Sequence, residues 1–199
     1  MGDTKPSQDR IAALVATHRV DELTTPGSPA RRELEQTPGV REALRALGAN
    51  DSQRWAVRFA AYEALFAIGG TLDDPADRRS AARTYATELA NGESHNYWGL
   101  PGEQLSGALR TFAGLGKDAA IPALLPLLED RRALVYEGSQ EPTLSEAFGY
   151  RVADLAGTVT ATLLGTSFPV RERDPAKRDV ALAALRNAAT AAMSQPRGQ

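Results

Sequence analysis

At 199 residues the chain is long enough for one substantial core, or for a short array of repeats that share one. Hydrophobic residues make up 42% of it, but alanine carries much of that share and aromatics only 6%, which favours close helix-on-helix packing over a thick β-sandwich core. A formal net charge of -2 provides no long-range field to gather phosphates or an anionic membrane, and zero cysteines remove disulfides, thiolate metal sites and cysteine nucleophiles together.

No stretch approaches the ~18 uninterrupted apolar residues of a membrane span, so membrane insertion is not expected. The polar start Met1-Gly2-Asp3-Thr4-Lys5-Pro6 has no signal-peptide core, and Pro6 stands where a myristoylation signal needs Ser or Thr. The chain as written reads as soluble. Its compartment stays open: cytoplasmic, or exported if a leader has been removed. No run of β-branched or aromatic residues with period two offers a source for a sheet.

Taken in order, residues 1–7 read as a flexible start. Ile11, Leu14, Val15 and His18 share one helical face and predict a first helix from about Gln8 to Leu23, with His18 near its last carbonyls. Thr25-Pro26-Gly27-Ser28-Pro29 breaks the chain. A helical segment from Ala30 to Gln36 follows, and Thr37-Pro38 restarts it with Thr as cap. Val40, Ala43, Leu44 and Leu47 form its stripe, ended by Gly48. Asp51 can cap the next helix, in which Val57, Ala61, Ala64, Leu65 and Ile68 line one side while Trp55, Phe59, Tyr62 and Phe66 lie around another. A helix apolar on two faces is sandwiched between neighbours. Asp73-Asp74-Pro75 starts a helix that stops at Asn91-Gly92.

The stretch from Leu105 to Gly165 carries the clearest architecture. Leu105, Ala108, Leu109 and Phe112 make one stripe, and Ile121, Leu124, Leu125 and Leu128 make a second. The two predict a hairpin turned at Gly116, with Asp118 capping the second helix and Leu125 buried at its centre. Thr143 and Glu146 have capping-box spacing and predict one helix running on through Tyr150 to Gly165. Asp174-Pro175 caps a last helix from about Ala176 to Met193, and residues 194–199 read as a flexible tail. Residues 8–193 are therefore expected to form a single all-α domain of about eight helices in about four hairpins.

Laying Trp55 to Gly69 over Tyr150 to Leu164 matches Val57 with Val152, Ala61 with Ala156 and Ile68 with Leu163. Two-helix units recurring at about 40 residues are the mark of an α-solenoid. At these residues the chain resembles the HEAT-repeat family, including its bacterial relatives of the phycobilisome-lyase type. The pattern Val57-Arg58-x-Ala60-Ala61-x-x-Ala64-Leu65-x-x-Ile68-Gly69 is similar to the second helix of such a repeat, and Leu115-Gly116 through Asp130 to a repeat junction and the helix after it. The resemblance covers roughly Val40 to Gly69 and Leu105 to Gly165. It departs from the pattern in the order of Arg151 and Val152 and in the long loops at 93–102 and 133–142. It implies a right-handed α-solenoid that most often binds protein partners, although some members are enzymes, so the fold alone decides nothing.

Two loops hold the candidate partner-binding residues. In the first, His95, Tyr97 and Trp98 gather beside Glu93; exposed Trp and Tyr are favoured interface anchors, whereas Trp98 folded back would plug the following hairpin. In the second, Arg132, Tyr136 and Glu137 precede Tyr150, Arg151 and Asp154. This loop can carry function on a rigid scaffold, or Arg151 and Asp154 can pair with Glu129, Asp130 or Arg131 to pin consecutive repeats. The expected function is a non-enzymatic binding module without metal or cofactor. Its rival is an enzyme acting on a small molecule or nucleobase, as lyases or glycosylases do, with Asp154 or Glu137 as general acid or base. Such a carboxyl must lack a compensating arginine, yet Arg151 lies three residues before Asp154. Two distant histidines make a zinc site improbable, and no phosphate loop, nucleophile elbow or His-Glu-x-x-His is present. The charge balance argues against nucleic acid despite Arg78, Arg79, Arg83, Arg131, Arg132 and Arg151. The partner's identity and the oligomeric state stay open.

Overall fold

In a computed structural model of the protein, residues 4–102, 105–138 and 140–194 are described. The chain is all-α: about 70% is helical, and the described residues form eleven α-helices and no strand. It divides into two compact units, Met1–Glu88 and Leu89–Gln199. Of the flexible ends expected at 1–7 and 194–199, residues 1–3 and 195–199 lie outside the described residues, while helix already begins at Thr4 and the final helix runs through Ser194.

The first unit contains α1 (Thr4–Thr17), α2 (Val20–Thr24), α3 (Pro29–Gln36), α4 (Val40–Ala49), α5 (Trp55–Ala67) and most of α6 (Pro75–Asn91). α5 is its hub and packs on α4, α2 and α1. Burial of Phe59, Ala60, Ala61, Tyr62, Ala64 and Leu65 gives this helix the two enclosed faces expected of it. Phe59 meets Tyr85 of α6 edge to face at 5.1 Å, the arrangement that opposed ring quadrupoles prefer.

Three boundaries in this unit differ from the expectation for local reasons. The first helix breaks after Thr17, because Arg19 is extended and donates its N–H to the Glu22 carboxylate at 2.8 Å, which opens α2. His18 does sit against its own helix end, with Nδ1 3.0 Å from the Leu14 carbonyl. Thr37 closes α3 by donating its hydroxyl to the Glu33 carbonyl at 2.8 Å, and the left-handed Gly39 (φ 70°) precedes α4, so Thr37-Pro38 is a stop and not a start. Asp51 pairs with Arg58 at 2.7 Å instead of capping α5.

The second unit contains a 3-10 turn at Asn96–Trp98, α7 (Ser106–Leu115), α8 (Lys117–Leu124), a 3-10 turn at Leu125–Glu129, α9 (Glu141–Phe148), α10 (Val152–Leu164) and α11 (Pro175–Ser194). Its hub is α10, packed on α11, α8, α7 and the 125–129 turn. Ten of its residues are buried, and Gly157 brings α11 close: a Cβ there would meet Leu182 Cδ2 at 2.7 Å. α7 and α8 form the expected hairpin across Gly116, whose φ is 85°. Asp118 lies in the first turn of α8 and does not cap it.

The expected single helix from 143 to 165 is interrupted. Gly149 is left-handed (φ 58°) and ends α9, and α10 starts afresh after Arg151. The second stripe also changes: Pro126 cannot donate to the α-helical ladder, and the chain tightens to 3-10 geometry at Leu125. This rotates Leu125 to a partly exposed position while Ile121, Leu124 and Leu128 stay buried. Leu124→Ala is therefore expected to cost ~2–5 kcal/mol and Leu125→Ala clearly less, measured by chemical denaturation. Equal losses would show that the register of the turn is misread.

Candidate functional site

Residues 131–137 run extended through the second unit without joining a sheet. Side chains alternate along such a backbone, and here Leu134 and Tyr136 point inward while Ala133, Val135 and Glu137 are exposed. A single antiparallel bridge links Ala133 to Arg151, with Val152 N–H donating to the Arg132 carbonyl at 2.9 Å and Leu134 N–H to the Tyr150 carbonyl at 3.0 Å.

The 93–102 loop holds the other edge. His95 is 3% exposed; its backbone N–H donates to the Val135 carbonyl at 2.7 Å, and Val135 N–H donates to Nδ1 at 2.9 Å. Nε2 is 2.9 Å from the Leu89 carbonyl, and Nδ1 lies 3.0 Å from the Val135 carbonyl as well as taking the Val135 N–H; the neutral tautomer protonated on Nε2 satisfies both Leu89 and that N–H. Asn96 completes the staple: its amide donates to the Glu137 carbonyl and accepts from Glu137 N–H, both at 2.8 Å. Arg132 forks onto Asp130 and also reaches the Asn91 side chain at 3.0 Å. That hydrogen-bonded guanidinium holds the Asp130 carboxyl below its usual range.

Burial pushes the His95 pKa down, outweighing the carbonyls that favour the charged ring. The unfolded chain therefore binds a proton at higher pH than the folded one. The stabilisation is complete above the unfolded value of about 6.5 and is lost as pH falls from there toward the lower folded value. Urea denaturation of the wild type and of His95→Gln from about pH 7.5 to 5 checks this, since the variant's profile should be the flatter one. Parallel profiles would remove His95 as a titrating staple.

Asp154 lies at the start of α10 and is fully buried. Its carboxylate accepts four hydrogen bonds. Oδ2 takes the Arg151 backbone N–H and Nε, each at 3.0 Å. Oδ1 takes an Arg151 terminal nitrogen at 3.0 Å and Arg178 Nε at 3.1 Å. Arg178, 1% exposed, gives three further donors to the carbonyls of Phe148 and Gly149 at the end of α9 and of Glu172. Arg151 also pairs with Asp179 at 3.0 Å. The local Arg151–Asp154 pair seen in the sequence is present, but its further partners are Arg178 and Asp179 of α11, not Glu129, Asp130 or Arg131. Arg178 could have been found: it heads the α11 stripe continued by the buried Leu182, Leu185 and Ala189, and a cation on such a stripe requires a buried acid.

The candidates thus separate by accessibility. Trp98 is fully buried against Phe112, with ring centroids 5.7 Å apart, as the folded-back reading has it. Gly107 of α7 permits this, since a Cβ there would lie 2.0 Å from the Tyr97 carbonyl oxygen. Tyr150 is buried and stacked on Phe148, and Tyr136 is buried with its hydroxyl donating to the Gly99 carbonyl at 3.0 Å. Burial pushes the Tyr136 phenol pKa upward. His95 and Asp154 are also enclosed, and Arg151 is mostly covered. Tyr97, Arg132 and Glu137 reach the surface.

Between the extended segment and α9 lies an open groove of about 460 Å³. Leu134, Val135, Tyr136, Pro142, Glu146 and Tyr150 contribute to its walls. Val135 is 52% exposed, and it is the large aliphatic side chain that this segment turns to solvent. Sequence reasoning missed both the groove and Val135, because an isolated valine in a loop carries no periodic signal.

Among the described residues no group of three or more His, Asp or Glu could hold a metal ion, and no helix is long and apolar enough to cross a membrane. No family model matches the sequence, and comparison with curated proteins and with solved structures returns no match.

Proposed function

We propose that the chain is a non-enzymatic binding module and that a partner protein engages it through the groove between residues 131–137 and α9. The observation that carries this reading is a half-exposed Val135 beside an apolar groove on a backbone held from both edges. A recognition surface gains affinity when its apolar contact is presented already ordered, because little entropy is then lost on binding. The HEAT-like α-solenoid is part of the same proposal. Its support is that the two helices matched in sequence, α5 and α10, are each the hub of their own unit.

Of the two acids on which the rival enzyme reading rests, Glu137 is exposed beside the groove and not held within it. Asp154 has two guanidiniums on it and no face on the groove, so a substrate cannot reach its lone pairs.

Selection of displayed peptides on the wild-type protein, counter-screened against Val135→Ser, tests the proposal. Val135→Ser should leave the melting temperature nearly unchanged and weaken the selected peptides about tenfold. Selected peptides that bind both proteins equally would move the partner surface elsewhere.

A further inference from the structure

We infer that the groove takes a basic apolar peptide segment, one aliphatic side chain flanked by lysine or arginine. This rests on the binding-module reading above and specifies its ligand.

Charge complementarity around an apolar floor selects this ligand. Every residue lining the groove falls between Ala133 and Tyr150, and that stretch contains Glu137, Glu141 and Glu146 but no lysine or arginine. Glu146 lines the groove itself. Glu137 is exposed on the same side of the extended segment as Val135, two residues away. Glu141 adjoins the lining Pro142 in the first turn of α9.

None of the three glutamates has a lysine or arginine partner among the described residues. Among the arginines around this stretch, Arg132 is paired with Asp130 and Arg151 and Arg178 with Asp154, while Arg171 reaches the Gly102 carbonyl and Arg173 lies over the Phe148 ring at 5.6 Å. The groove thus presents three carboxylates without an ion-pair partner around an aliphatic contact, in a chain whose net charge is only -2. An acidic or neutral segment would gain only the apolar contact. A basic one gains the same contact together with attraction at the rim, which steers its approach and selects it from other apolar segments.

Fluorescence anisotropy with three labelled peptides tests the inference: Lys-Lys-Leu-Val-Lys-Lys, Ser-Ser-Leu-Val-Ser-Ser and Glu-Glu-Leu-Val-Glu-Glu. The lysine peptide should bind at least about tenfold more tightly than the other two, and its affinity should fall as salt rises from about 50 to 500 mM. Both Val135→Ser and the triple variant Glu137→Gln, Glu141→Gln, Glu146→Gln should weaken it about tenfold, the triple variant with a flatter salt dependence. Circular dichroism checks the fold of each variant, and Glu137→Gln alone, in the loop, should show a smaller loss if the triple variant is unstable.

Equal binding of the three peptides that is still weakened by Val135→Ser overturns the charge preference and leaves the binding module standing. The same conclusion follows if the triple variant keeps full affinity. Binding of no peptide, or binding insensitive to Val135→Ser, overturns both. A dimer in sedimentation that Val135→Ser dissociates would assign the groove to a second copy of the chain and overturn the inference.

Discussion

Asp154→Ala is expected to destabilise the protein by about 3–5 kcal/mol, the cost of leaving buried charge without its partner. The carboxylate is fully buried and takes four donors, and Arg178 beside it is 1% exposed. Removing the acid leaves the buried Arg178 with carbonyl acceptors but no counter-charge, while Arg151 keeps Asp179. Asp154→Asn should fall only a little short of this loss, because an amide nitrogen then confronts donors where an oxygen accepted them. Arg178→Met removes the buried cation together with its acid's second contact, so its loss should be smaller than that of Asp154→Ala. Urea titrations of the three variants decide the matter, and a loss below about 1 kcal/mol for Asp154→Ala would mean that the network adds nothing to stability. Such a network cross-links the end of α9, the start of α10 and the start of α11, so its rupture should be felt at all three.

Trp98→Ala is expected to cost about 3–5 kcal/mol, as a large buried aromatic whose removal leaves a cavity. Its ring has no exposed surface and stacks on Phe112, while Tyr97 meets it edge-on with centroids 4.9 Å apart. Tyr97→Ala, at a residue 40% exposed, should cost well under half as much. The contrast separates two roles that adjacent aromatics share in sequence. If Trp98→Ala is nearly as stable as the wild type, the 93–102 loop does not close over α7 as described.

The helical stripes were legible because helix burial repeats every three to four residues and needs no knowledge of the partner. Ile121, Leu124 and Leu128, or Ala61, Ala64 and Leu65, announce a buried face whatever covers it. The hairpin turn at Gly116 and the Asp174-Pro175 start of α11 were equally local: Asp174 Oδ1 accepts the Ala176 N–H at 2.9 Å. Where two local rules competed, the expectation failed. Thr143 and Glu146 match a capping box, but helix already begins at Glu141, and Gly149 ends it seven residues before a continuous helix would reach Ala156. Leu125 obeyed the stripe, yet Pro126 changed the pitch beneath it.

Sequence by itself determined that this is an all-α chain, that the helix from Trp55 is enclosed on two faces, and that Arg151 and Asp154 are within reach of one another, since each follows from spacing of a few residues. Only the tertiary structure decided what the unusual side chains do. The imidazole of His95 finds its acceptor at the Leu89 carbonyl and its donor at the Val135 N–H, forty residues on. Asp154 finds its second cation twenty-four residues away at Arg178. The groove beside Val135 exists because an irregular segment and a short helix meet at a distance. Burial of polar groups and the shape of a groove depend on which distant segments come together, and pairings across such separations leave no period in the chain.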